Sequence, residues 1–163
     1  MFARLRQAVF GRERGSLGAR GERVAARRLR NAGFRVLGRN VRLAGGEIDL
    51  LCLDPEGSSL VVVEVKSRVL RAGDVDHTRD ARRPEASITA DKRARLSRLA
   101  QAAARDRRIT PGGVNRLRID VVAIDFDAAG KRVIDVRHYP SAVGVTTPGP
   151  RSRSGCAAPP RSG

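Results

Sequence analysis

Residues 61–66 read VVVEVK: three valines, a carboxylate, a fourth valine and an ammonium. A short β-branched run of this kind reads as a strand with at least one buried face. With a period of two, Val61, Val63 and Val65 share one face while Val62, Glu64 and Lys66 share the other. Burying an unpaired charge costs on the order of several kcal/mol, so the second face needs partners for Glu64 and Lys66. A same-face ion pair at an exposed strand end is one solution. A cleft shared with other charged groups is the other.

The sequence around this strand defines the architecture. Upstream lie the strand-like runs FRVLGRNVRL (34–43) and EIDLLCLD (47–54), separated by Gly45-Gly46, and the turn cluster DPEGSS (54–59) then leads into the valine strand. Three strands joined by short turns predict an antiparallel meander. Before them, LGARGERVAARRLRNAGF carries a 3.6-residue stripe of Leu17, Gly21, Val24, Ala25, Leu29 and Ala32, with Asn31 and Gly33 as the stop. After them, a second helix starts near Thr89, a candidate N-cap with Asp91 in the first turn, and buries Leu96, Leu99, Ala100 and Ala103; Lys92 shares a face with Leu96, Leu99 and Ala103 and is expected to point inward. The strands RLRIDVVAIDF and KRVIDVRHYP close the pattern. The connection between residues 67 and 117 is long enough for a parallel crossover. The order is α-β-β-β-α-β-β, an α/β fold with a mixed central sheet over residues 17–140. Residues 1–16 read as a basic flexible arm, 71–87 as an inserted polar loop, and 141–163 as a disordered basic tail rich in Pro, Gly and Ser.

The 163 residues suffice for one domain with a real core, filled by aliphatics because aromatics are 3% and Trp is absent. A net charge of +16 points to a polyanionic partner. Residues 1–39 hold 11 arginines against Glu13 and Glu22, which makes the first helix basic on its outer face. Of the 33 basic residues only Lys66, Lys92 and Lys131 are lysines. Cys52 and Cys156 make no disulfide framework, and no apolar run approaches the ~20 residues that span a bilayer. The expectation is a cytoplasmic protein without a membrane partner. Two histidines are poor material for a zinc site or a Ser-His-Asp triad. The Gly15, Gly18, Gly21 spacing does not follow a strand, which argues against a dinucleotide loop. Asp74, Asp76, His77 and Asp80 read as a solvated acidic loop.

In the meander, Glu47, Asp49 and Leu51 are expected on one face of their strand, opposite Ile48, Leu50 and Cys52, so that Asp49 meets Glu64. Two close carboxylates repel unless a proton or cation intervenes. A hard divalent ion such as Mg²⁺ resolves that repulsion, and Lys66 would then stand beside a water aimed at phosphorus.

GGEIDLLCLD followed by LVVVEVKSR resembles the catalytic signature of the PD-(D/E)XK nuclease superfamily, an Asp followed by Glu-x-Lys. The pieces GARGERVAARRLRNAGFRVLGRNVR, GGEIDLL, VVVEVKSR, PEASITADKRARL and LRIDVVAID cover most of residues 17–126. Together they resemble the YraN-like uncharacterised protein family, itself similar to archaeal Holliday-junction resolvases. The resemblance implies a restriction-endonuclease-like three-layer core and metal-dependent endonuclease activity on DNA, including branched or structured DNA. It implies Asp49, Glu64 and Glu22 as ligands of Mg²⁺ (or Mn²⁺), Lys66 as the catalytic lysine, and Lys92 on the scissile phosphate. Arg118 and Asp120 also match its pattern. Residues 71–83 and the C-terminal tail fall outside it. Glu22 shares one edge of the helical stripe with Ala25, Ala26 and Leu29, which lets it lean towards the sheet; a solvated helix glutamate is the alternative.

Arg20, Arg23, Arg27, Lys92 and Arg93 are candidates for phosphate contacts, which position a nucleic acid without reading its sequence. Cutting a four-way junction would favour a two-fold homodimer. The competing expectation is a non-catalytic nucleic-acid-binding protein on a nuclease-like scaffold. A third is an N-terminal arm docking on acidic lipid or a protein partner.

Overall fold

The structure is a computed structural model describing residues 15–70 and 88–145; the expected arm to residue 14, the loop 71–87 with its acidic cluster, Cys156 and the tail from residue 146 lie outside them. Helix α1 (Leu17–Asn31) begins at Ser16, whose hydroxyl accepts the Ala19 amide at 3.2 Å and satisfies a first-turn donor. Arg28 and Arg30 occupy its last turn, favourable at the negative end of the helix dipole. Gly33, at φ +86°, makes the left-handed turn that follows.

Strands β1 (Arg35–Leu43), β2 (Gly46–Leu53) and β3 (Ser59–Val69) form the expected antiparallel meander. Helix α2 (Ala90–Arg105), capped by the Thr89 hydroxyl on the Lys92 amide at 3.3 Å, connects β3 to β4 (Arg116–Phe126). Strand β4 runs parallel to β3, and β5 (Val133–Val143) returns antiparallel. The sheet order is β1-β2-β3-β4-β5, a five-stranded mixed sheet.

Each face of the sheet carries one helix, giving three layers with two cores. On one face Ala25, Ala26 and Leu29 of α1 pack on Leu50, Cys52, Val61, Val63, Val122 and Ile124. On the other Leu96, Leu99, Ala100 and Ala103 of α2 pack on Leu51, Leu60, Val62, Ile119 and Val121. Small residues bring α1 close: a Cβ at Gly21 would lie 1.8 Å from Ser67 Oγ. The central strands therefore read as nearly continuous apolar runs because both their faces are covered. No helix among the described residues is long and apolar enough to cross a membrane.

Two expectations change. The last strand does not stop at Pro140 but continues to Val143, which pairs with Ile119 and is buried in the α2-side core. Ser141, at φ +54°, sits at a register shift and donates its amide to Asp120 Oδ1 at 3.0 Å, which lets the strand resume beyond an interruption that reads as a terminus. The strict alternation expected of β2 also fails. Ile48 joins the same core as Leu51, while Leu50 and Cys52 join the other. The strand turns over at Asp49.

Candidate functional site

The β2–β3 register ends with Leu50 opposite Val63, so Asp49 and Glu64 are the next facing positions. Asp49 Oδ2 accepts the Val65 amide at 2.8 Å, holding the carboxylate against the backbone of β3. Glu64, 7% exposed, receives two ammonium groups at one oxygen: Lys92 Nζ lies 2.5 Å and Lys66 Nζ 3.6 Å from Oε1. The expected inward direction of Lys92 is what α2 provides, and Glu64 rather than bulk solvent is its neighbour. Burial pushes the Lys66 ammonium below its ordinary 10.5, and Lys92 adds to that effect against the pull of Glu64.

Glu22 is buried, 1% exposed, on the face of α1 that packs on the sheet. It is not a solvated helix glutamate. Its Oε2 lies 4.0 Å from Arg39 of β1. Among the described residues no group of three or more His, Cys, Asp or Glu is placed to hold a metal ion. Glu22 comes from the α1 side of the sheet, whereas Glu64 shares the face of Val62 and is met by Lys92 of α2.

The basic candidates divide. Arg23 and Arg27 are exposed on α1, and Arg93 is exposed on α2 with its Nε donating to Ile88 O at 3.1 Å. Arg20 differs from them. Its guanidinium donates to the carbonyls of Gly130 and Lys131 and lies 5.1 Å over the Phe126 ring, so it ties α1 to the β4–β5 turn. Arg118 and Asp120 form a buried network: Arg118 grips both carboxylate oxygens at 2.8 and 3.0 Å, and His138 Nε2 lies 2.8 Å from Oδ2. Burial pushes the Asp120 carboxyl up, but these partners and the Ser141 amide hold it below 3.8. Arg68 and Arg137 hold Asp125 in the same way. Both networks stitch β4 to its neighbours. Cys52 is buried and free, its thiol pushed up to about 12 chiefly by burial, an inert core residue.

Sequence reasoning passed over Asn40. It adopts φ +49° within β1, and it faces Asp49 because Arg39 pairs with Leu50 and Val41 with Ile48. Its Oδ1 is buried and has no hydrogen-bond partner among the described residues. Asparagine inside a strand-like run was the available signal, since it disfavours strands and tolerates the left-handed region.

An α/β chain of three layers thus carries a carboxylate–lysine centre built from β2, β3 and α2. The model of the family described as "Uncharacterised protein family UPF0102" matches residues 21–124, and the chain belongs to that family. It is similar to a UPF0102 protein of Streptomyces coelicolor, 43% identical over 124 residues that cover 75% of this chain and 85% of the relative. It is also similar to one from an Arthrobacter species, 42% identical over 115 residues (71% and 86%). A third, from Anaeromyxobacter dehalogenans, is 39% identical over 133 residues (81% and 87%). The matched span includes Glu22, Asn40, Asp49, Glu64, Lys66 and Lys92 and excludes Arg20.

Proposed function

We propose that the chain is a metal-dependent endonuclease that hydrolyses phosphodiester bonds in DNA, including branched or structured DNA. The observation that carries this reading is that Asp49 and Glu64 occupy the facing positions just past the last β2–β3 pair, with Lys66 and Lys92 gathered on Glu64. A protein that only binds a polyanion gains nothing from two carboxylates held side by side.

The donor chemistry fits a hard divalent cation. Mg²⁺ is commonly held by one or two carboxylates together with substrate phosphate, so Asp49 and Glu64 suffice, with Mn²⁺ as a substitute. When bound there, the ion would supply Lewis acidity towards the phosphate and make a water more acidic. The residues of the chain do the rest. The Val65 amide fixes the Asp49 carboxylate. Lys66, its ammonium weakened by burial, orients the attacking water by hydrogen bonding and offsets charge that builds on phosphorus. Lys92, at the N-terminal turn of α2, exchanges Glu64 for a phosphate oxygen when substrate enters. Arg23, Arg27 and Arg93 lie on exposed faces of α1 and α2 and contact the backbone of the nucleic acid. Glu22 acts from the α1 side through Arg39.

A second reading is a non-catalytic nucleic-acid-binding protein on the same scaffold. It draws on one observation: Glu64 is already neutralised by two ammonium groups, and no third acidic ligand joins it among the described residues. Incubation with duplex, single-stranded and four-way-junction DNA in Mg²⁺ or Mn²⁺ separates the two. Cleavage abolished by Glu64→Ala and by Asp49→Asn supports the enzyme. Binding without cleavage in either metal, unchanged or tightened in both variants, supports the binder.

A further inference from the structure

Beyond the β1 register shift between Val36 and Gly38, strands β1 and β2 exchange faces together at one row of the sheet. Arg39, paired with Leu50, sits on the α1 side, where it approaches Glu22 while Leu50 joins the α1-side core. Val41, paired with Ile48, lies in the α2-side core. Residues two apart on a regular strand share a face, so something between each pair turns the chain over. On β1 that residue is Asn40 and on β2 it is Asp49, opposite one another by register. Asn40 makes the turn with a left-handed backbone, φ +49°. Of the non-glycine residues, Asn is among those that adopt this conformation most readily.

Asp49 shows the result. On a regular β2 its side chain would stand out from the face of Leu51 and Val62. Instead its carboxylate lies along the sheet, accepting the Val65 amide just past the last β2–β3 pair and next to Glu64. Past the turned row, the hairpin is seated over α2: Gly46, at φ +148°, leaves its Cβ position 3.3 Å from Arg95 Nε and 3.4 Å from Leu99 Cδ1. The buried Oδ1 places the Asn40 side chain inside this row rather than in solvent.

We infer that Asn40 is the positioning residue for Asp49. Its left-handed backbone turns both strands over and swings the Asp49 carboxylate onto the Val65 amide beside Glu64. The catalytic meaning of that geometry rests on the nuclease reading above, but the geometry itself is measurable without turnover.

The test is amide hydrogen exchange, read by NMR on the full chain and its Asn40→Gly, Asn40→Asp and Asn40→Ala variants, with DNA cleavage followed in parallel. Asp49→Ala gives the exchange rate of Val65 without its acceptor. In Asn40→Ala, which resists a positive φ, protection of Val65 falls roughly tenfold, the factor that losing one net hydrogen bond amounts to. Val62 and Ile119 in the central strands keep theirs. Gly and Asp tolerate the left-handed region, and both variants hold the Val65 protection of the parent chain. Should Asn40→Ala not fold, those two variants still decide. Val65 protection lost in Asn40→Gly, or retained in a folded Asn40→Ala, overturns the inference. A parent chain that cleaves no DNA defeats the nuclease reading while leaving the exchange result to judge Asn40.

Discussion

Lys92 Nζ stands 2.5 Å from Glu64 Oε1, a contact that joins the first turn of α2 to β3, the central strand of the sheet. Lys66 approaches the same oxygen at 3.6 Å. Two of the three lysines of this arginine-rich chain therefore converge on one carboxylate oxygen. A lysine is a compact cation that responds to burial, whereas an arginine stays charged and spreads its charge over a planar fork.

The Lys92 ammonium and a divalent cation compete for Glu64. Lys92→Met should tighten Mn²⁺ binding by about three- to tenfold, because the competing ion pair is worth roughly 1 kcal/mol. Glu64→Gln should weaken it at least as much. Titration of each variant with Mn²⁺ followed by EPR reads both effects, and an unchanged Kd in Lys92→Met would show that the ammonium does not occupy the cation position.

Gly21 is predicted to be intolerant for a steric reason. Alanine gains about 1 kcal/mol of helix propensity, but its Cβ would fall 1.8 Å from Ser67 Oγ, and overpacking of this kind costs about 1–3 kcal/mol. Gly21→Ala should therefore lower Tm. Ser67 Oγ is buried with no hydrogen-bond partner among the described residues, so Ser67→Ala alone should be close to neutral. The double variant should recover part of the loss, a coupling that a thermodynamic cycle measures.

Acid stability should depend on Asp120. Its carboxyl is held below 3.8 in the folded chain, so the unfolded chain takes up the proton first as pH falls. Its contribution is thus complete above pH 3.8 and drains away as pH falls through the folded value. Asp120→Asn should flatten that acid slope and cost roughly 3–5 kcal/mol at neutral pH by stranding Arg118 beside a buried amide. Urea unfolding at a series of pH values checks the slope and the offset together. A steep residual slope would assign the acid sensitivity to Asp125, held low by the same logic through Arg68 and Arg137.

Arg20 should behave unlike Arg23 and Arg27. Arg20→Ala removes the tether to Gly130 and Lys131 and the contact with Phe126, and should lower Tm with little change in the salt dependence of DNA binding. The Arg23→Ala/Arg27→Ala pair should lower Tm less than Arg20→Ala does and reduce the slope of log K against log salt by about two, one for each phosphate contact. Binding isotherms at several salt concentrations distinguish them.

The periodicities of Val61–Lys66 and of α1 and α2 were enough to give the element order, the meander, the crossover and both helix faces, because those patterns are set by which residues must be buried. The burial of Glu22 and the inward direction of Lys92 were legible for the same reason. The over-turning of β1 and β2 was not. It depends on one backbone angle at Asn40, and an alternating pattern assumes that no such angle occurs. The pairing of Glu22 with Arg39 follows from which helix covers which face. Strand periodicity says that two faces exist without saying which helix takes each. The tether role of Arg20 likewise needed the tertiary contact with the β4–β5 turn.

The scarcity of lysine also makes this chain convenient to label. Reductive methylation with ¹³C-formaldehyde would tag three side-chain amines, and two of them, Lys66 and Lys92, sit on the same carboxylate oxygen. A few resonances would then follow cation, proton and phosphate arriving at Glu64, with Lys131 in the β4–β5 turn as an internal reference.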